Sequence, residues 1–299
     1  MGPAWGIDIR RARIDGVVLE DPGAPRTLRR MRVPAESEKG YYHVLGQVHK
    51  LVEVLSSEVG VRPERIGVSC AGSLDPITKT VKNAGIAALD GKPLLSDLET
   101  YLGVPVRLDN AANCLALAET RFGTVTEVMP TARCVVALLL DDTVEGGVVV
   151  NGRVMRGRQG IAGSWGHNYL DDRGGPCACG RHGCVQTVIG AEALGEYYAE
   201  SGGYAPDVAE AITALDDRDD AAARTAERLV YNFAKAVGPV INVIDPDCIV
   251  IGGRLAGVDA LYDQGPELLK RFVHNTRVDT VVLRPKLGHG ASAVGAALL

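Results

Sequence analysis

Apolar residues alternate with polar ones through "WGIDIRRARIDGVVLE" (5–20), the pattern of two strands joined by a short turn. The period then changes. Over 41–60, Tyr42, Leu45, Val48, Val52 and Leu55 recur at helical spacing, and Gly60 ends the run. Two short apolar runs, "RIGVSCAG" (65–72) and "PVRLDN" (105–110), predict buried strands, the second leading into a helix at "ANCLALAETRFG". From 133 the order restarts: strand "CVVALLLDD", a turn, strand "GGVVVNGRV", then a long amphipathic helix over roughly 219–243 and strand "CIVIGG" (248–253). A helix of small residues closes the chain at "LGHGASAVGAALL". The pattern predicts two α/β halves, each opening with a hairpin whose turn can face a phosphate, an architecture that serves many functions.

Composition narrows the classes. The 299 residues are 46% hydrophobic, enough for one large or two medium domains. A net charge of −5 disfavours non-specific attraction to nucleic acid or an acidic membrane. No apolar run nears the ~20 residues of a membrane span, and "MGPAWGIDIR" lacks the pattern of a secretory signal. A cytoplasmic protein with no nucleic-acid or membrane partner is expected.

Of seven cysteines, Cys70, Cys114, Cys134 and Cys248 lie in apolar stretches and read as small buried hydrophobes. The others crowd into "HNYLDDRGGPCACGRHGC". Three thiolates (Cys177, Cys179, Cys184) and the His167 imidazole would complete a tetrahedral zinc shell with no open position for water. Such a closed site holds structure. His182 is a competing ligand, but its place inside the tight turn directs it outward; three reduced cysteines in a loop is the alternative.

"GIAGSWGH" followed by "CACGRHGC" resembles the ROK family of repressors, open reading frames and sugar kinases, whose zinc site reads GxxGExGH…CxCGxxGCxE. The resemblance runs nearly the whole chain: "GIDI" is similar to the first phosphate strand, "IGVSCAGSLDPITKTVKNAG" to the sugar-approach loop, "IVIGG" to the adenosine segment and "GASAVGAALL" to the last helix. It implies a two-domain actin/hexokinase-like (ribonuclease H-like) α/β fold, with sugar and ATP in the cleft and the zinc loop (164–186) buttressing the sugar pocket. The implied domains are 1–118 joined by 285–299, and 119–284. It also implies a homodimer or homotetramer, and sugar contacts from Asn83, Asn110 and His167.

The chain departs from the family at the chemistry. The kinase base is the Asp of N-D-A-N; here Asn110, Ala112 and Asn113 match and Ala111 takes the acid's place. A methyl group cannot accept a proton. Asp109 is adjacent, but strand alternation points it to the opposite face, so its service as base requires a local twist. The phosphate loop D-I-G-G-T-K is "DIRRAR", with Arg10 and Arg11 for glycines; G-T-G-x-G-G-G is "DDTVEGG" (141–147). Ser164 and Gln186 replace two sugar-binding glutamates, one shorter and both neutral. The arginines can grip a phosphate or carboxylate or form solvated surface. The acids can hold Mg²⁺ with Asp8, or pair with the arginine loop and fill the former ATP site.

These changes speak against retained ATP and Mg²⁺ binding. The expectation is a ROK-derived protein that binds or acts on a sugar, amino sugar, cyclitol or sugar phosphate after losing phosphotransfer, as a non-kinase enzyme or a pseudokinase. The alternative is an atypical ATP-dependent sugar kinase. A sugar-responsive regulator ranks third, because the core begins at residue 5, where the family's repressors carry a helix-turn-helix domain.

Overall fold

The computed structural model describes residues 2–214 and 218–299. Among these residues, twelve strands fall into three sheets. The first sheet uses β1 (Ala4–Ile9), β2 (Arg13–Leu19), β3 (Thr27–Pro34) and β4 (Ile66–Cys70). β5 (Ser73–Leu74) and β6 (Val81–Lys82) pair as a separate ribbon, and β7 (Val106–Asn110) completes the first sheet in the order β3-β2-β1-β4-β7. The second sheet contains β8 (Cys134–Leu140), β9 (Val144–Val150), β10 (Arg153–Val154), β11 (Cys248–Gly252) and β12 (Val281–Leu283), ordered β10-β9-β8-β11-β12. Each sheet opens with an antiparallel hairpin and continues with parallel strands, the repeat expected from the pattern.

Three helices matter most to the first half: α1 (Tyr41–Val59), α2 (Leu94–Leu102) and α3 (Ala111–Phe122). α1 ends at Gly60, whose φ of 75° is the left-handed conformation glycine adopts without strain. Its buried face differs by one residue from expectation: Tyr42 is 72% exposed, whereas Tyr41 is buried and donates its hydroxyl to Asp97 Oδ2 at 2.8 Å. The long helix Asp220–Ile244 is capped by Asp219, whose carboxylate accepts from the Ala222 N–H at 2.9 Å. Strand β3 had no sequence signal because it is an exposed edge studded with Arg29, Arg30 and Arg32. Charged edges of this kind block sheet-to-sheet association.

The core has three parts. One lies between the first sheet and α1 and α2; another packs the second sheet against Asp220–Ile244. The third holds α3 and the last helix, Ala291–Ala297, between the two sheets. Missing side chains make this layer thin. A Cβ on Gly67 would strike the Ala296 carbonyl, and one on Gly295 the Cys114 carbonyl. Among the described residues no helix is long and apolar enough to cross a membrane.

Candidate functional site

Parallel register sets Asp8, Ser69 and Asp109 side by side on β1, β4 and β7. Ser69 Oγ donates to Asp8 Oδ1 at 2.7 Å, and Arg10 Nε donates to Asp8 Oδ2 at 2.8 Å. The other end of Arg10 reaches the last helix, donating to Ser292 Oγ at 3.0 Å, and Ser292 in turn donates to the Ala111 carbonyl at 3.0 Å. Arg10 therefore braces the entrance of α3. Burial opposes its charge, but Asp8, Glu145 and Asp141 outweigh that and raise its pKa.

Asn110 caps α3, its side-chain oxygen accepting from the Asn113 N–H at 2.7 Å. Asp109 needs no twist to reach this helix: its Oδ1 accepts from Asn113 Nδ2 at 2.7 Å. Oδ2 lies 2.7 Å from Arg156 Nε, an ion pair by distance without the direction of a hydrogen bond. Ala111 is fully buried in the middle layer.

Opposite, β9 presents Glu145. It shares a face with Gly147, where a Cβ would strike the backbone of Ala112 and Asn113. The Glu145 carboxylate is raised to about 7, chiefly by burial, with Asp8 and Asp141 adding to the effect and Arg10 opposing it. Asp141 is raised as well, again first by burial. Asp141 lines a cavity of about 730 Å³, together with Arg10, Gly253, Arg254, His289 and Ser292 among others.

That cavity corrects the expectation of arginines and acids filling the cleft. Arg10 turns back to Asp8, and Arg13 pairs with Asp15 at 2.9 Å. Asp142 pairs instead with Arg254, which also holds Asp207 at 2.7 Å. The acids of "DDTVE" and Asp8 do not come close enough to share an ion: among the described residues, the one group of three or more ligand-type side chains that does is His167, Cys177, Cys179 and Cys184.

In that group the four donor atoms lie within 4.8 Å of one another, and the set can hold a metal ion. Cys177 Sγ is 3.5 Å from His167 Nδ1, and Cys179 Sγ is 3.7 Å from Cys184 Sγ. Burial, aided by Arg181, lowers the His167 pKa, which favours the neutral imidazole that ligates metals. His182 is exposed and outside the cluster.

The remaining candidates are spread out. Gln186 donates its amide to Cys177 Sγ at 3.3 Å. Ser164 precedes the turn Trp165–His167 and is half-buried; Asn83 is exposed, with φ of 54°. Arg11 is exposed, its carbonyl accepting from Ser37 Oγ at 2.9 Å, and it does not line the cavity. Sequence reasoning missed Arg156 and Ser292, whose partners lie far along the chain, and read Glu145 only as one of the "DDTVE" acids, a Mg²⁺ ligand or a partner of the arginine loop.

Two five-stranded α/β sheets with α3 and the last helix between them, an open cavity and a Cys/His cluster define the class of protein. The ROK family pattern matches residues 4–299, and the chain belongs to this family. It is 29% identical to the N-acetyl-D-glucosamine kinase of Pasteurella multocida, over 99% of this chain and 98% of that one. Among solved structures, the ROK hexokinase of Thermus thermophilus superposes with a TM-score of 0.82 at 28% identity, covering 99% of this chain and 97% of that one. The ROK glucokinase of Streptomyces griseus, in complex with glucose and AMPPNP, gives 0.83 at 25%, covering 99% and 98%. These end-to-end matches to sugar kinases overturn the expectation that phosphotransfer is lost and ATP no longer bound; they favour the kinase alternative.

Proposed function

We propose that this chain is an ATP-dependent kinase of a hexose or N-acetylated hexosamine, atypical in its phosphate loops. The observation that carries the reading is the open cavity of about 730 Å³ between the two sheets, of a size that suits a nucleotide. It is supported by full-length similarity to an N-acetyl-D-glucosamine kinase and to a glucokinase bound to glucose and AMPPNP. Phosphoryl transfer needs positioning and charge stabilisation above all. In this reading the nucleotide enters as its Mg²⁺ complex and Arg10 faces its phosphates from the cavity wall. The sugar contacts are those the family resemblance implies, drawn from Asn83, Asn110, Ser164, His167 and Gln186, and Asp109 holds Asn113 and Arg156 in place.

Zinc is the ion we assign to the His167, Cys177, Cys179 and Cys184 cluster, because three thiolates and an imidazole form its closed structural shell. Its contribution there is to fix the fold of the loop. Residues 1–118 with 285–299 form one proposed domain and 119–284 the other; a homodimer or homotetramer follows from the family resemblance.

The kinase reading is tested by coupled detection of ADP from ATP–Mg²⁺ with glucose, N-acetylglucosamine and N-acetylmannosamine. Sugar-dependent ADP release supports it. No release with any of these sugars, together with no calorimetric heat on adding AMPPNP, overturns it.

A further inference from the structure

A kinase with alanine at the family's base position needs another acceptor for the hydroxyl proton. The second sheet carries one toward the right place. Along β9, Glu145, Gly147 and Val149 share the face turned to α3; Val149 packs in the middle layer, and Gly147 abuts the backbone of Ala112 and Asn113. Glu145 lies two residues further toward the turn, where the charges acting on it are Arg10, Asp8 and Asp141. From the first sheet, the Cys70 thiol feels Glu145 more than any other charge, and Cys70 pairs in register with Asn110, the residue before Ala111. Glu145 Oε2 is buried and, among the described residues, has no hydrogen-bond partner. Its strand is also tied to the candidate sugar side: Trp165 Nε1 donates to the Glu145 carbonyl at 3.1 Å, in the turn between Ser164 and His167.

We propose that Glu145 is the catalytic base, moved from the first residue of α3 to the facing strand. The inference rests on the kinase reading above. The sugar hydroxyl oxygen bonds to the γ-phosphorus as the bond to the bridging oxygen breaks and ADP leaves; the hydroxyl proton passes to the Glu145 carboxylate and later to solvent. A carboxyl raised to about 7 suits an acceptor that must recover its proton-free form near neutral pH. Arg10 and Asp8 on β1 and its turn, Asp141 at the end of β8 and Cys70 on β4 are the titratable and charged groups around it.

The test compares wild type, Glu145→Gln and the double variant Glu145→Gln/Ala111→Asp in steady-state kinetics across pH. The base role predicts that Glu145→Gln lowers kcat at least about 100-fold with both KM values within about threefold. It also predicts that the double variant regains at least about tenfold, with its acidic limb moved below that of wild type. A pure counter-ion to Arg10 would instead raise KM for ATP and leave the pH profile in place. Wild-type turnover with a Glu145→Gln variant within about threefold in kcat overturns the base role alone. No wild-type turnover overturns the kinase reading and the base with it. If Glu145→Gln fails to fold, Glu145→Asp decides: a carboxylate one methylene short lowers kcat, and unchanged kcat and pH profile overturn the proposal.

Discussion

Arg156, in the loop after β10, brings its Nε within 2.7 Å of Oδ2 of Asp109 at the end of β7. The contact joins the second sheet's loop to the first sheet, and its ends are unequal: Arg156 is largely exposed and Asp109 buried. Removing the arginine leaves a buried carboxylate with Asn113 and the Asn110 N–H as its remaining partners. Arg156→Ala is expected to lower stability by about 1–3 kcal/mol, seen as an earlier midpoint in urea unfolding. An unchanged midpoint would show that the pair does not tie the two units.

Arg10 links Asp8 to Ser292 at the cavity wall. Arg10→Ala should raise KM for ATP by about tenfold, the loss of one charge-assisted contact, and leave KM for the sugar nearly unchanged. Ser292→Ala, which removes one anchor of the guanidinium, should act in the same direction and less. Equal changes in both KM values would place Arg10 outside the phosphate region.

Glu145 also makes stability depend on pH. Its folded pKa of about 7 exceeds the ordinary 4.5, so between these values the folded protein binds more protons than the unfolded chain. Stability from this group therefore falls as pH rises from 4.5 to about 7 and is level above. Glu145→Gln should be more stable than wild type at pH 8, by up to about 3 kcal/mol, and the gap should close toward pH 4. Parallel stability curves for the two proteins across that range would contradict this burial.

Metal removal probes the Cys/His cluster. One zinc per chain is expected by elemental analysis, and chelation should lower the melting temperature and open 164–186 to protease, since metal binding energy is folding energy. Cys184→Ser should lose the metal without added chelator. An unchanged melting temperature after verified removal would rule out a structural ion.

The two hairpin-first sheets, the long helix and the Cys/His cluster were legible because each has a local signature: alternation, helical period, or candidate ligands within 18 residues of one another. The cleft was less legible. Asp109 looked misdirected because strand alternation sets its face relative to Asn110, yet the decisive fact is that Asp8, Ser69 and Asp109 are neighbours across three parallel strands. "DDTVE" and "DIRRAR" looked like natural ion-pair partners by charge alone. Their partners in the fold, Arg254 for Asp142 and Asp8 for Arg10, depend on which way each turn faces.

The position of the last helix has a consequence for biosynthesis. Gly6 and Gly67 receive the backbone of Ala293 and Ala296, so the inner face of the first sheet is closed by residues more than 220 positions downstream of β4. During translation that face stays open until residue 297 has left the ribosome, although α1, α2 and the strands they cover are complete long before. The nascent first unit thus spends most of its synthesis as a half-covered sheet, a state that chaperones bind and proteases recognise. Chains stopped before residue 291 should be cleared rather than accumulate.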